Sequence, residues 1–507
     1  MEPITDPVNA QLWAFVPVII AIGTIFLLRN VIASLFIGIA AGAAIWALML
    51  KAGVLDFLHL LFSTIFNSAV ENIALIGFIY MLGALVYIIS RSGGHHAYGR
   101  WIARKIKTSR GVSLATMALG VLIFIDDYFS CLVVGSVMDR PVDDYKISRE
   151  KLAYFIDTTA GPVCILAPLS SWSPTITQTV ESAGIDKGLF VFIKSIPYNY
   201  YGIFALVLGF YIAFTGKDFF AMRRRQAGMQ KGRPPVSVEG KSKGKIIDLV
   251  LPNVMVVLFT LMAIAWLGGY FGPEKVSIID AYAAADTTMA ISFACLAAIV
   301  LCFILYIPRR LLSVHQFFTG VLDGMKSMFE VNLILILAWS LSVITTEFLG
   351  AGNFVESLMR FHRDSVNVSF LPVAIFAISA LIAPGLGSWG TFLMIIPFVA
   401  IIARATDPSM FPVFLGAILA GSVFGDHASP ITDTTVLSSA SARCDHISHV
   451  KTQLPYALVI CFSSIVSFVC AGIFRQSLPG YAAGIIVAGA LLFGAYQWEK
   501  RRGHSNS

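Results

Sequence analysis

The 507-residue sequence predicts an all-α polytopic membrane protein made of two inverted five-helix repeats with re-entrant hairpins and broken helices, plus one extra C-terminal helix. Three observations carry this expectation. Hydrophobic residues make up 57% of the chain and charged residues only 13%, against about 25% charged in an ordinary soluble domain. The apolar residues arrive in blocks of about 20, the length that crosses a bilayer. The blocks also fall into two groups that correspond at a nearly constant offset.

In the first group, apolar blocks at 12–28, 31–49, 70–90, 152–172 and 195–214 each read as one crossing, and a broken apolar stretch covers 112–138. Residues 217–247 follow, rich in Gly, Pro and clustered cations, and read as a flexible cytoplasmic linker. The second group has blocks at 248–269, 289–308, 330–349, 411–432 and 455–474, with its own interrupted block at 368–403. A last span at 481–498 closes the chain. Sliding the chain by 258 residues puts Ser34 on Ser292 and Gly94 on Gly352. A slide of 260 puts Ala160 and Gly161 on Ala420 and Gly421, and 262 puts Ala167 and Pro168 on Ser429 and Pro430. So small a drift over so long a stretch points to internal duplication.

The interrupted blocks are read as hairpins that enter and leave on one side, which leaves five crossings per half. An odd number inverts the second half relative to the first. Cation placement agrees with an outside amino terminus and a cytoplasmic carboxyl terminus. Of the 36 Lys and Arg, only Lys51, Lys187, Lys194, Lys275, Arg360, Arg363, Arg404 and Arg475 then face outward, as the positive-inside rule requires. The expected divisions are first-repeat scaffold helices at 1–90, a first transport half at 91–216, the linker at 217–247, second-repeat scaffold helices at 248–352, a second transport half at 353–474, and the extra helix and tail at 475–507.

The net charge of +7 is spread over loops between apolar blocks, where it faces anionic lipid, and is not a nucleic-acid surface. Seven Cys, an odd number and nearly all within apolar runs, imply no disulfide framework. The acidic start MEPITDPVNAQ lacks the basic region of a signal peptide, so the first block is expected to stay as a span. The sequence contains no H-E-x-x-H, G-x-S-x-G or P-loop string, so neither an enzyme nor an ATP-driven pump is expected and no cofactor is called for.

Irregular backbone is tolerated in lipid only where protein or a water-filled cavity satisfies it, so helix breaks mark the functional path. Four are expected: FIDDYFSC at 124–131, ILAPLSSWSP at 165–174, APGLGSWGTF at 383–392 and FGDHASPITDTT at 424–435. Pro168 and Pro430 remove helix hydrogen bonds. The breaks and the helix leading into Pro168 carry Asp126, Asp127, Asp157, Asp426 and Asp433, and carboxylates at membrane depth are costly and normally functional. Ser170, Ser171, Ser388, Thr391, Ser429 and Thr432 add neutral oxygens, so the set suits a monovalent metal ion such as Na⁺, at Asp426 and Asp433 and at Asp126 and Asp127, or a proton. Structural readings stand beside these. Asp126, Asp127 or Asp157 can cap a half-helix or pair with Arg140 or Lys151. His427 is a proton relay or a hydrogen-bonded core residue, and Glu71 and Glu330 are interfacial. His446 and His449 in CDHISH have zinc-like spacing but read as a solvated loop, as do His95 and His96.

The strings FIDDYFSC, REKLAYFIDTTAGPVCILAPLSSW (149–172) and above all GDHASPITDTTVLSSASARCDHISHVKTQLPYAL (425–458) resemble signatures of NhaC-type Na⁺/H⁺ antiporters in the ion transporter superfamily. The resemblance covers nearly the whole chain. It implies a bacterial inner-membrane protein with inverted repeats, an elevator-like transport domain, a homodimer, and a cation site around the five aspartates, with Na⁺ or Li⁺ and protons as the transported partners. A buried carboxylate holds a proton more readily than an exposed one, so one Asp can carry a proton or Na⁺ in turn. The alternative expectation is a Na⁺- or H⁺-coupled carrier whose partner is an amino acid or small organic acid, held between the hairpin tips near Trp172 and Trp389.

Overall fold

The computed structural model describes residues 7–505 apart from 29, 95–96, 98–104, 230–243, 273–275, 278–280, 282–284, 286, 352, 355–356, 358–366 and 431. His95, His96, Gly352, Lys275, Arg360, Arg363, the Arg140 side chain and residues 230–243 of the linker therefore lie outside the described residues. The chain is an all-α multi-pass membrane protein; among the described residues there is no strand, and eleven helices are long and apolar enough to cross a membrane.

Four helices open the chain: α1 (Val16–Leu28), α2 (Val31–Leu50), α3 (Val54–Glu71) and α4 (Ile73–Arg91). Asn30 caps α2, its side chain accepting from the Ala33 N–H. The helix α3 was not among the expected crossings. Asp56, His59, Ser63 and Asn67 lower its hydropathy, but Leu55, Leu58, Phe62 and Phe66 form an exposed apolar face suited to lipid. The matching elements of the second half are α12 (Ile247–Leu267), α13 (Thr287–Tyr306), α14 (Val314–Ser327) and α15 (Phe329–Val343). Packing between the halves is reciprocal, with α4 lying on α13 and α14 while α15 lies on α2 and α3. At the α4–α14 crossing the backbones meet, since a Cβ on Gly324 would lie 2.3 Å from the Gly83 carbonyl oxygen. Only glycine fits there.

The remaining helices of the first half are α5 (Ser109–Leu122), α6 (Asp127–Asp144), α7 (Arg149–Leu166), α8 (Trp172–Ser182), α9 (Gly188–Ser195), α10 (Tyr200–Thr215) and α11 (Phe220–Met229). Helices α5 and α6 form a hairpin. Tyr145, just past α6, donates to the Ile106 carbonyl just before α5 at 2.7 Å, so both ends meet. The arm α5 runs beside α7 in the same direction, with Gly120 against Thr159 and the Phe124 carbonyl against Cys164.

The second half repeats this arrangement with α16 (Leu371–Ala405), α17 (Phe411–Ala428), α18 (Asp433–Ser441) and α19 (His446–Phe474), followed by α20 (Ser477–Ser505). Gly387, at φ 70° and ψ 173°, breaks α16 in its middle. Its first arm runs along α17, since Gly421 faces Phe376 and Ser379 while Gly425 faces Ala383. Its second arm ends at Ala405, shortly before α17 starts. Both ends of α16 therefore sit at the start of α17, and Gly387 is a hairpin tip.

Two expectations change. The stretch 217–247 is not loop throughout, because α11 forms and docks: Met222 is buried, Gln226 accepts from the Ser148 N–H at 2.9 Å, and Asp218 pairs with Lys151 at 2.8 Å. Arg223, Arg224 and Arg225 hide that apolar face in a sequence average. The eleven apolar helices also include α3 and the hairpin helix α16, but not α7, and over its described residues the first expected crossing is only a shorter apolar helix, Gln11–Ala21. Helix α7 carries Arg149, Glu150, Lys151 and Asp157 and is buried along most of its length, so protein rather than lipid surrounds it.

Candidate functional site

The two hairpin tips and the two broken helices converge. Helix α7 ends at Leu166 and α8 begins at Trp172; α17 ends at Ala428 and α18 begins at Asp433. Trp172, Trp389 and Phe392 form a triangle of rings 5.5 to 5.7 Å apart that packs the first broken helix against the second hairpin.

Each predicted carboxylate has its own environment. Asp126 is the N-cap of α6, accepting from the Phe129 N–H at 2.8 Å, so the capping reading fits its geometry. Asp127 is fully buried, both its oxygens lack a hydrogen-bond partner, and it faces the Trp172 indole, whose Nε1 is also unpartnered. Asp157 is fully buried in α7. It accepts from Thr435 Oγ1 at 3.0 Å, from Ser438 Oγ at 3.4 Å and from Gln453 Nε2. Asp426 is buried near the end of α17; its Oδ1 accepts from the Ser388 N–H at 3.0 Å while its Oδ2 faces Gly161 with no partner. Asp433, at the first turn of α18, is exposed and takes the Tyr128 hydroxyl from the opposite half. The expectation that it is buried is therefore corrected: it stands at the exposed first turn of α18, while Thr434 and Thr435 beside it are buried.

Among the described residues, no ion pair reaches any of the five aspartates. Lys151 is taken by Asp218, and Arg149 by Asp139 and Asp143. The charge neighbours of Asp426 are Asp433, Asp157 and Asp127, all of the same sign. No three His, Cys, Asp or Glu side chains among the described residues come together as a metal cage. Any cation here would draw on backbone and hydroxyl oxygens beside one or two carboxylates.

Such oxygens are present. Ser170 donates to the Cys164 carbonyl at 2.6 Å, Thr391 to Gly387 at 2.7 Å, Ser429 to Pro384 at 2.7 Å and Thr432 to Asp426 at 2.9 Å. Each hydroxyl keeps lone pairs for a cation. Ser388 contributes its backbone N–H, and the Ser171 N–H donates to Ile125 at 2.7 Å, tying the first tip to its broken helix. His427 is satisfied as a neutral ring: the Tyr201 hydroxyl lies 2.9 Å from Nδ1, and Nε2 lies 3.2 Å from the Asp157 carbonyl. Glu71 and Glu330 are exposed, away from the tips.

Sequence reasoning missed Thr435 and Ser438, the hydroxyl partners of Asp157, and a group on α19. His446 and His449 are not in a solvated loop but at the start of α19, and His449 is fully buried. With Gln453 they follow an i, i+3, i+7 spacing along one face of the helix, and that face meets Asp157. The spacing was the available signal.

The sequence profile of the Na⁺/H⁺ antiporter family matches residues 159–473. An uncharacterized protein of Haemophilus influenzae is 30% identical over 514 residues, covering 96% of this chain and 95% of that one. The malate-2H⁺/Na⁺-lactate antiporter of Bacillus subtilis is 29% identical over 160 residues, covering 30% of this chain and 33% of its own. The crystal structure of the YdaH transporter of Alcanivorax borkumensis superposes with a TM-score of 0.49 at 14% identity, covering 83% of this chain and 90% of that one.

Proposed function

The chain belongs to the Na⁺/H⁺ antiporter family of secondary transporters, and from that premise we propose that it exchanges a monovalent cation, Na⁺ or Li⁺, for protons at Asp127 and Asp426. The observation that carries this reading is a charge imbalance: Asp426 Oδ2 and both oxygens of Asp127 are buried and unpartnered, with only like-charged aspartates as charge neighbours. Buried ionised carboxylates need compensation. A proton or a dehydrated cation supplies it, one at a time, and Ser429, Thr432 and the broken backbone complete the shell. Asp433 at the open end draws cations toward the tips. An unloaded site stays charged and resists crossing, whereas a loaded one moves, and that difference couples the two flows. The hairpins and broken helices move against scaffold helices α1–α4 and α12–α15, which hold the inner membrane and a second copy of the chain.

The test uses protein in liposomes under an imposed pH gradient. Na⁺ or Li⁺ alone is expected to elicit proton movement. Proton movement only on addition of an organic acid or amino acid overturns the exchange reading. That second outcome favours a carrier of small organic anions, the reading supported by likeness to a malate/lactate antiporter and by the unpartnered indole N–H groups of Trp172 at the first broken helix and Trp389 at the second hairpin.

A further inference from the structure

We propose that His446, Ser439 and His449 form a proton-holding unit that carries one excess proton and serves as the counter-charge of Asp157. The proposal rests on the proton-coupled reading above for its role in transport, but its geometry stands alone. Gln453 Nε2 donates both to Asp157 and to the His427 carbonyl, at 3.2 Å. Both partners only accept, so the amide orientation is fixed and Gln453 Oε1 faces His449 Nε2 at 2.9 Å. His449 Nε2 must therefore bear a hydrogen. His446 Nε2 must bear one too, since it lies 2.6 Å from the Pro430 carbonyl. These tautomers are assigned from the network.

The two Nδ1 atoms then converge on a single hydroxyl. Ser439 Oγ lies 2.8 Å from His449 Nδ1 and 2.9 Å from His446 Nδ1, and 2.7 Å from the Thr435 carbonyl as well. One hydroxyl hydrogen cannot serve two bare nitrogens. With both rings neutral, one nitrogen lone pair points at the Ser439 oxygen lone pairs at hydrogen-bond distance. One added proton removes the conflict between the nitrogens: either imidazole becomes imidazolium and donates to Ser439, whose hydroxyl turns from the Thr435 carbonyl to donate to the other. His427 has no such deficit, both its nitrogens being satisfied in the neutral form.

The unit conducts charge without moving heavy atoms. When His446 is the imidazolium, its Nδ1 proton passes to Ser439 Oγ as the Ser439 hydrogen passes to His449 Nδ1. The result is a neutral His446, an intact hydroxyl and an imidazolium at His449. His446 is half-buried, whereas His449 and Gln453 are buried, so the proton moves from the protein boundary to a point one amide away from Asp157. The charged and titratable groups of the packed elements are Arg149, Glu150 and Asp157 on α7, Asp433 on α18, His427 on α17 and Arg225 on α11, with Arg443, Cys444, Asp445 and Lys451 at the start of the unit's own helix. Arg149 and Arg443 are paired with Asp139, and Lys451 is exposed. Ser448 donates to Glu150 at 2.9 Å, Arg225 reaches Glu150 at 3.6 Å, and Asp445 caps α19. The carboxylates among them favour a cation in the unit.

The experiment is ¹⁵N NMR of the full-length, histidine-labelled protein in lipid nanodiscs, with signals assigned through His446→Gln and His449→Gln. One imidazolium shared by the pair at neutral pH, lost in Ser439→Ala, is the expected result. Two neutral rings at neutral pH in the wild type overturn the proposal. In liposomes, His446→Gln and Ser439→Ala are expected to slow proton-driven exchange severalfold and shift its pH profile while leaving Na⁺/Na⁺ counterflow unchanged. Equal loss of both fluxes marks a merely structural role and rejects the unit. An imidazolium present in protein that moves no protons with Na⁺ rejects the exchange reading and leaves the unit standing.

Discussion

Asp426→Asn isolates charge from structure at the centre of the site. The Asp426 carboxylate makes one hydrogen bond, Oδ1 accepting from the Ser388 N–H at 3.0 Å at the second hairpin tip, and Oδ2 makes none. Asparagine keeps the acceptor but puts amide N–H groups where no partner stands, so folding stability is expected to fall by about 1–3 kcal/mol, a loss that thermal unfolding reads separately from affinity. The charge is another matter. A unit charge about 4 Å from a bound cation is worth about 4 kcal/mol at an effective dielectric constant of about 20. At about 1.4 kcal/mol per decade that is roughly a thousandfold in affinity. The assay is Na⁺-elicited proton movement in proteoliposomes, read as the half-saturating Na⁺ concentration, with thermal unfolding of the same preparation. Asp426→Ala is the control for structure: it leaves the Ser388 N–H without its acceptor and is expected to cost about 1–3 kcal/mol of stability. A folded Asp426→Asn whose half-saturation stays within about threefold of wild type refutes the Coulomb argument and removes Asp426 from the cation site.

Asp157→Asn is expected to fold, because its amide oxygen still accepts from Thr435 and Gln453, while Asp157→Ala strands the Gln453 and Ser438 donors and loses about 2–6 kcal/mol in chemical denaturation. Lys151→Met leaves Asp218 charged and buried, both side chains being only 6% exposed in the pair, and is expected to cost about 3–5 kcal/mol, with much of the loss recovered in Lys151→Met/Asp218→Leu. Gly324→Leu drives a side chain into the Gly83 carbonyl and is expected to lower the melting temperature sharply, the overpacking costing about 3 kcal/mol or more. Ser409 and then Arg475 hold the Asp407 carboxyl below the usual carboxylate range. A depressed folded value gives stability that is present above the unfolded value and lost as pH falls through the folded one. The melting difference between wild type and Asp407→Asn should therefore be constant from neutral pH down to about 5 and shrink below about 4.

The parts of the site that break rules of lipid were legible in the sequence. Pro168, Pro430 and the glycines around Gly387 interrupt apolar runs, and Asp126, Asp127, Asp157 and Asp426 carry charge where charge is costly; each is a conflict visible from neighbours in the chain. What escaped was polar without being costly in that sense. Thr435, Ser438 and Gln453 lie 278 to 296 residues from Asp157, carry no charge, and hide in helices that hydropathy treats as ordinary. Helices α3 and α11 escaped for the converse reason, since their apolar faces are diluted by polar residues that a linear average cannot assign to the opposite side. His446 and His449 stood near Arg443 and Lys451, so composition placed them in water. The i, i+3, i+7 phase with Gln453 placed them on one helical face, and the need to satisfy Asp157 turned that face inward. In a protein whose solvent is lipid, a neutral side chain that can hydrogen-bond a buried carboxylate is as informative as the carboxylate itself, but only three-dimensional proximity reveals which one does so.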